Sequence, residues 1–321
     1  MSKQLDISIV IPLYNEEESL SELCLWIDKV MEENDFNYEI LLIDDGSTDN
    51  SWNVITELSS QINSVKGIKF NRNYGKSAAL NTGFKHANGE VVITMDADLQ
   101  DSPDEIPALV KMITENGLDL VSGWKKKRHD PISKTIPSKF FNFVTRLFSG
   151  IKLHDFNCGL KAYNKKVVKT IDVYGEMHRY IPFIAKWHGF DKIGELAVEH
   201  RARKYGTTKF GLERFIFGFL DLISITFVSK FKKRPMHFFG TFGTLSMLAG
   251  IMITLWVIGS KVYNIYNQLP VRDVVDQPIF FLALVAIIIG VQLFLAGFLA
   301  EMMIQTGVKK EDYIVSEKLG F

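Results

Sequence analysis

"VVITMDADLQD" spans residues 91–101: the mostly apolar run Val91–Met95 leads straight into Asp96, Asp98 and Asp101. Carboxylates this close at the end of a buried strand repel one another unless a cation or a proton relieves them. The stretch therefore allows three readings: a solvated turn, a metal site or an acid/base pair. Its neighbours along the chain decide the fold first and the site second.

The same grammar recurs on both sides. Strand patterns fall at Ile7–Ile11, Glu39–Ile43, Gly67–Phe70 and Leu118–Val121, with helical patterns between them. In the first helix, Leu20, Leu23, Cys24, Ile27, Val30 and Met31 follow i, i+3, i+4, i+7 spacing. Short continuous apolar strands alternating with helices predict an α/β fold, a mostly parallel sheet covered on both faces. Ligands bind such sheets beyond the carboxyl ends of the strands. There the chain carries "PLYNEEE" (12–18), "DDGSTD" (44–49), "NRNYGKS" (71–77) and "DADLQD" (96–101). One such cluster reads as a turn or a helix cap. Four at neighbouring strand ends predict a shared ligand crevice.

The second half of the chain changes character. Of 321 residues, 47% are hydrophobic, and the formal net charge is zero, which gives no electrostatic ground for a nucleic-acid partner. Two stretches lack any charged residue, 237–259 ("HFFGTFGTLSMLAGIMITLWVIG") and 279–300 ("IFFLALVAIIIGVQLFLAGFLA"). As helices they reach roughly 33–35 Å, enough for a hydrocarbon core of about 30 Å. Met1–Asp6 leads directly into a strand pattern, so no signal peptide is expected. Lys230, Lys232, Lys233 and Arg234 precede the first stretch, and Lys309 and Lys310 follow the second. The connecting loop holds only Lys261 and Arg272 against Asp273 and Asp276, which predicts both termini on the cytoplasmic side of an inner membrane. Cys24 and Cys158 give no disulfide framework. Residues 211–235 are too polar to span and too apolar for a solvent-exposed helix, and read as an interfacial helix. Residues 201–234 carry nine Lys or Arg against Glu213 and Asp221, a positive-inside signal that also suits an anionic lipid or phosphate. The expected organisation is a catalytic domain at 1–210, an interfacial region at 211–235, a transmembrane hairpin at 236–305 and a cytoplasmic tail at 306–321.

D-x-D after a strand, with Gln100 adding an oxygen, suits Mg²⁺ or Mn²⁺ bridging substrate phosphates. Alone it is a weak signal. "NYGKSA" ends like a P-loop, but Phe70 stands where that motif requires glycine, and no G-x-G-x-x-G follows the first strand.

Taken in order, "ISIVIPLYNEE", "LLIDDGSTD", "NRNYGKSAALNTGF", "GEVVITMDADLQD" and "RKYGTTKFG" resemble a family 2 glycosyltransferase of GT-A fold. With two C-terminal spans, the chain is similar to the polyisoprenyl-phosphate glycosyltransferases, including bactoprenol glucosyltransferases and dolichol-phosphate mannose synthases. The resemblance implies that Pro12, Tyr14 and Glu16 contact the nucleoside, with Asp44 or Asp45 near the base and Lys76 on the donor side. It implies that Asp96 and Asp98 face the diphosphate and that Asp98 and Gln100 hold the metal. "DFNCGLKAY" (155–163) resembles the segment that sets an aspartate, here Asp155, beside the acceptor. Arg203 and Lys209 match basic residues that meet donor and acceptor phosphates, and Lys134 and Ser138 fall where relatives clamp the acceptor phosphate. Two positions depart from the pattern: Lys125 stands where mannose synthases tend to have arginine, and Thr208 where serine is usual. Lysine lacks the guanidinium fork.

The reaction implied is inverting transfer of one sugar from a nucleotide-diphosphate sugar, uridine favoured over guanosine, to a membrane polyprenyl phosphate. Such relatives form tetramers, so the resemblance allows a homotetramer, but the sequence does not fix the oligomeric state. The acceptor phosphate is largely dianionic at neutral pH, since its second pKa lies near about 6. A strong base is then less necessary, and Asp155 could take a residual proton, orient Lys161 or contact a sugar hydroxyl. Two alternatives remain: transfer to a hydroxyl of a lipid-linked sugar or glycerolipid, and a non-catalytic nucleotide-sugar-binding subunit. Neither the sugar nor the prenyl length is legible.

Overall fold

A computed structural model of the chain describes residues 5–126, 142–147, 149–201, 204, 235–306 and 315–320. The chain divides into two compact units, Met1–Ile225 with Asp312–Phe321, and Thr226–Glu311.

The first unit is built on strands β1 (Ile7–Leu13), β2 (Tyr38–Asp44), β3 (Val65–Phe70), β4 (Val91–Thr94), β5 (Leu120–Lys125), β6 (Lys161–Asn164), β7 (Ile193–Val198) and β8 (Val315–Leu319). They form one sheet in the order β7-β5-β6-β4-β1-β2-β3-β8. Its centre, β3-β2-β1-β4, is parallel throughout, as is the β5–β7 pair. β6 runs antiparallel between β4 and β5, and β8 runs antiparallel along β3. The sheet is therefore mixed, with the parallel ladder expected from the sequence at its nucleus.

β1 and β4 are mostly apolar runs because both faces are covered: every residue of each is buried. On one face lie helices α1 (Leu20–Glu33), α2 (Ser51–Gln61) and α4 (Ile106–Thr114); on the other lies α3 (Lys76–His86). The six apolar positions of the first helical pattern are the buried residues of α1. Two further helices, α5 (Lys165–Thr170) and α6 (Ile181–Trp187), complete the second face through Val167, Val168, Ile181 and Ile184.

Three strands were not expected. β6 and β8 are short and contain lysine, and β7 is half-buried along most of its length. β8 also corrects the reading of 306–321 as a tail: Trp52 Nε1 donates to Glu317 Oε2 at 2.7 Å, and Leu319 packs on the core.

The second unit consists of α7 (Pro235–Tyr266) and α8 (Pro278–Thr306), which contain the two uncharged stretches. Pro235–Tyr266 and Pro278–Met303 are long and apolar enough to cross a membrane, with mean hydropathy 1.8 and 2.9. Glycines set the helix contact: a Cβ on Gly243 would lie 2.7 Å from the Gly290 carbonyl oxygen, and one on Gly290 equally close to the Gly243 carbonyl. Ser246 Oγ donates across to the Ala286 carbonyl at 2.8 Å. Small residues and an interhelical hydroxyl bond are how helices associate where lipid offers no hydrophobic drive. The expected interfacial helix at 211–234 lies outside the described residues.

Candidate active site

The loops after β1 and β2 are tied together by reciprocal bonds. Asn15, at φ 54°, donates its N–H to Ser47 Oγ at 2.9 Å and accepts from the Thr48 N–H at 2.9 Å. The Glu16 N–H reaches Ser51 Oγ at 3.0 Å, and the Asn50 N–H reaches Glu17 Oε2 at 2.7 Å. The loop after β3 lies on Gly46, where a Cβ would stand 2.4 Å from the Arg72 carbonyl carbon; φ there is +73°. The loops after β1, β2 and β3 thus form one continuous rim. Pro12 is buried within β1 opposite Ile43, while Tyr14 and Glu16 are half-buried on the rim.

The two aspartates after β2 separate in role. Asp45 is committed to the third loop: its oxygens accept from the Tyr74 N–H at 2.7 Å and the Gly75 N–H at 2.9 Å. Burial nonetheless pushes its carboxyl up to about 6. Asp44 is fully buried and accepts from the Ser47 N–H at 2.8 Å through Oδ1. Its Oδ2 has no hydrogen-bond partner among the described residues, and burial raises its pKa. A buried, unpartnered carboxylate oxygen is costly and marks a place for an external donor. If that donor is a base N–H, Asp44→Asn should weaken nucleotide binding about tenfold or more, because an amide N–H₂ would then face it. Titration calorimetry reads this directly, and an affinity within twofold of wild type would exclude the contact.

Asp96 and Lys76 meet. Lys76, in the first turn of α3, extends its ammonium to Asp96 Oδ1. Burial disfavours the Asp96 carboxylate, but Lys76, together with Lys125 and Lys161, outweighs it and holds the pKa at about 2. Gly159 lies directly beneath: a Cβ there would stand 2.5 Å from Asp96 Oδ2 and 2.6 Å from Cγ. Thr94 Oγ1 donates to the Gly159 carbonyl at 2.9 Å and fixes that backbone. Asp98 is half-buried; its Oδ1 accepts from the Gln100 N–H at 3.2 Å across Leu99, whose φ is 58°. A buried leucine in the left-handed region is an outlier of the kind held at functional sites.

Asp101 is anchored to β5 and to the segment after β7. It is buried, its carboxylate lies 2.8 Å from Lys125 Nζ, and it bridges to His200. The neighbouring Arg201 N–H donates to the Gln100 carbonyl at 2.9 Å. Burial works against the Lys125 ammonium, but the Asp101 charge prevails and raises its pKa.

Asp155 is buried, and its Oδ1 accepts from the Asn157 N–H at 3.0 Å. It shares this floor with Cys158 and Lys161. Burial pushes the Cys158 thiol up to about 12, so it is an inert thiol. Burial also lowers the Lys161 pKa, against the opposing pull of Cys158 and Asp155, and Lys161 donates to the Cys158 carbonyl.

Among the described residues no three of His, Cys, Asp and Glu gather into a metal cage. Mg²⁺ and Mn²⁺ need only one or two carboxylates beside substrate phosphates. Asp98 and ionised Asp96 supply hard oxygens, with Gln100 adjacent. Lys134, Ser138, Arg203 and Lys209 lie outside the described residues. The approach of Gly159 to Asp96 and the pairing of Asp101 with Lys125 are not legible in the sequence. "DFNCGLKAY" holds Gly159 in view, but only the pairing of β4 with β6 brings it to Asp96.

Residues 8–172 match the family described as glycosyl transferase family 2. The chain belongs to that family. Over 321 residues it is 35% identical to a dodecaprenyl-phosphate galacturonate synthase of Rhizobium johnstonii, covering 98% of this chain and 93% of the relative. Over 256 residues it is 37% identical to an undecaprenyl-phosphate 4-deoxy-4-formamido-L-arabinose transferase of Shewanella sediminis, covering 78% and 74%. Among solved structures, glucosyl-3-phosphoglycerate synthase of Mycobacterium tuberculosis, bound to Mn²⁺, UDP-glucose and phosphoglyceric acid, aligns with TM-score 0.54 at 18% identity over 70% of this chain and 79% of that one. A mannosyltransferase of Pyrobaculum calidifontis with GDP-mannose and Mn²⁺ aligns at 0.52 and 19% identity, over 72% and 65%. The fold of this glycosyltransferase is accordingly GT-A-like, and the crevice at its strand ends is its candidate active site.

Proposed function

We propose that this family 2 glycosyltransferase moves one sugar from a nucleotide diphosphate, UDP favoured, onto a polyprenyl phosphate at the cytoplasmic leaflet, with inversion. The observation that carries this reading is the match to the galacturonate synthase over 98% of the chain, which extends across both apolar helices. The arrangement of charges supports it. Asp44 Oδ2 has no hydrogen-bond partner among the described residues and is assigned to the nucleoside, and Asp96 and Asp98 are assigned to the diphosphate.

Asp98, Asp96 and Gln100 would hold Mg²⁺ or Mn²⁺, which when bound would neutralise charge on the leaving diphosphate. Lys76 is already at the same place and can release Asp96 to meet a phosphate oxygen. The acceptor arrives as a dianion, so its main barrier is repulsion by the donor rather than deprotonation. Arg203, Lys209, Lys134 and Ser138 are proposed to hold its phosphate through charge-assisted bonds. In-line attack by that oxygen on the anomeric carbon, as the diphosphate departs, inverts the configuration. Asp155 is fixed nearby in sequence to Lys161 and is proposed to orient the acceptor side. Both termini are assigned to the cytoplasm, and α7 and α8 to the membrane, on the lysine and arginine distribution.

Purified full-length protein is to be incubated with undecaprenyl phosphate, Mn²⁺ or Mg²⁺ and a panel of UDP-galacturonic acid, UDP-glucose, UDP-N-acetylglucosamine and GDP-mannose. The expected product is a lipid-linked sugar released by mild acid. A lipid product stable to mild acid would favour a hydroxyl acceptor instead.

A further inference from the structure

We propose that Glu195 is a positioning residue that sets Asp155, an assignment that rests on the reading of Asp155 as part of the acceptor side. Glu195 comes from β7, 40 residues further along the chain, and only 12% of its side chain is exposed. Its Oε1 accepts two consecutive backbone N–H groups, from His154 at 2.8 Å and from Asp155 at 3.1 Å. Its Oε2 lies 2.6 Å from Nδ1 of the His154 ring. One carboxylate therefore fixes the backbone entering Asp155 and the side chain before it.

Independent contacts clamp the same turn. The His154 ring stacks on Trp124, with centroids 4.2 Å apart and planes 16° from parallel. Ser122 Oγ donates to the Asp155 carbonyl at 3.2 Å. Asn142 donates to the His154 carbonyl at 3.0 Å and accepts from the Phe156 N–H at 3.3 Å. An isolated buried loop does not need four side chains from other segments to hold three residues. A side chain that must be held to within about 0.5 Å does. Glu195 is the charged member of this support and reaches the residue itself.

The test uses the full-length protein with Glu195→Ala, Glu195→Gln and Glu195→Asp, and Asp155→Asn in parallel. Turnover is read with undecaprenyl phosphate and the fastest donor of the panel, and affinity with UDP. Gln keeps one oxygen for both N–H groups, and its amide can donate to Nδ1 of a neutral His154. Its kcat is expected within about threefold of wild type. Ala, and Asp with its shorter reach, are expected to lose roughly 10- to 100-fold in kcat. UDP affinity should stay within twofold for all three. Amide hydrogen exchange across 154–156 should rise in Ala and Asp and not in Gln. Should the Ala variant fail to fold, the Asp and Gln pair decides. Equal rates for Gln and Asp, wild-type kcat in Ala, or UDP affinity falling in step with kcat would each overturn the assignment. If Asp155→Asn keeps full activity, the reading of Asp155 fails by itself, and exchange still reports whether Glu195 fixes the turn.

Discussion

Asp98→Asn is expected to reduce sugar transfer by about 10³-fold while leaving the fold intact. Asparagine keeps the shape of the side chain and an oxygen for the Gln100 N–H, so the change removes charge and little else. The side chain is half-buried on the rim rather than in either core, so no cavity opens. Asp96 retains one charge at the site but shares it with Lys76, so it compensates only in part. The loss should appear in kcat and in the Mn²⁺ or Mg²⁺ concentration needed for half-maximal rate, with circular dichroism and melting temperature unchanged. A variant within tenfold of wild type at low metal would remove Asp98 from the metal site.

Gly159→Ala is the second large effect, expected at about 10²-fold in kcat. The new Cβ would stand 2.5 Å and 2.8 Å from the two Asp96 oxygens, well inside contact distance. The backbone cannot yield easily, since Thr94 holds the Gly159 carbonyl and β6 begins two residues later. Asp96 must therefore swing away, which breaks its pairing with Lys76 and displaces both charges from the diphosphate end. Because Asp96 is part-exposed, the cost falls on activity more than on stability. Steady-state kinetics beside a thermal melt separate the two. Full activity would mean that the Asp96 position is not critical.

The parts of this molecule legible in its sequence are those written in local pattern. β1, β2 and β4 are mostly apolar, buried runs because helices cover both faces, and α1 shows its buried stripe at helical spacing. The two apolar helices are legible by length and composition alone. β6 and β8 escape because four- and five-residue strands containing lysine carry no distinguishing period. In the site, the DxD stretch and the loops after β1 and β2 were visible because their residues are contiguous. The pairing of Asp101 with Lys125 is not legible because Lys125 lies on another strand. Glu195 and Gly159 act only through pairing between segments distant in sequence, which no local window contains. The separation of Asp44 from Asp45 likewise follows from where the third loop folds back.

The central claim is that the acceptor nucleophile is a phosphate oxygen. It is tested most directly by ³¹P NMR and mass spectrometry of the product formed from undecaprenyl phosphate and a UDP-sugar. The account predicts a mass gain of one sugar and conversion of the phosphomonoester signal to a phosphodiester, with inverted anomeric configuration. A product that retains a phosphomonoester, with the sugar on a hydroxyl, would contradict it.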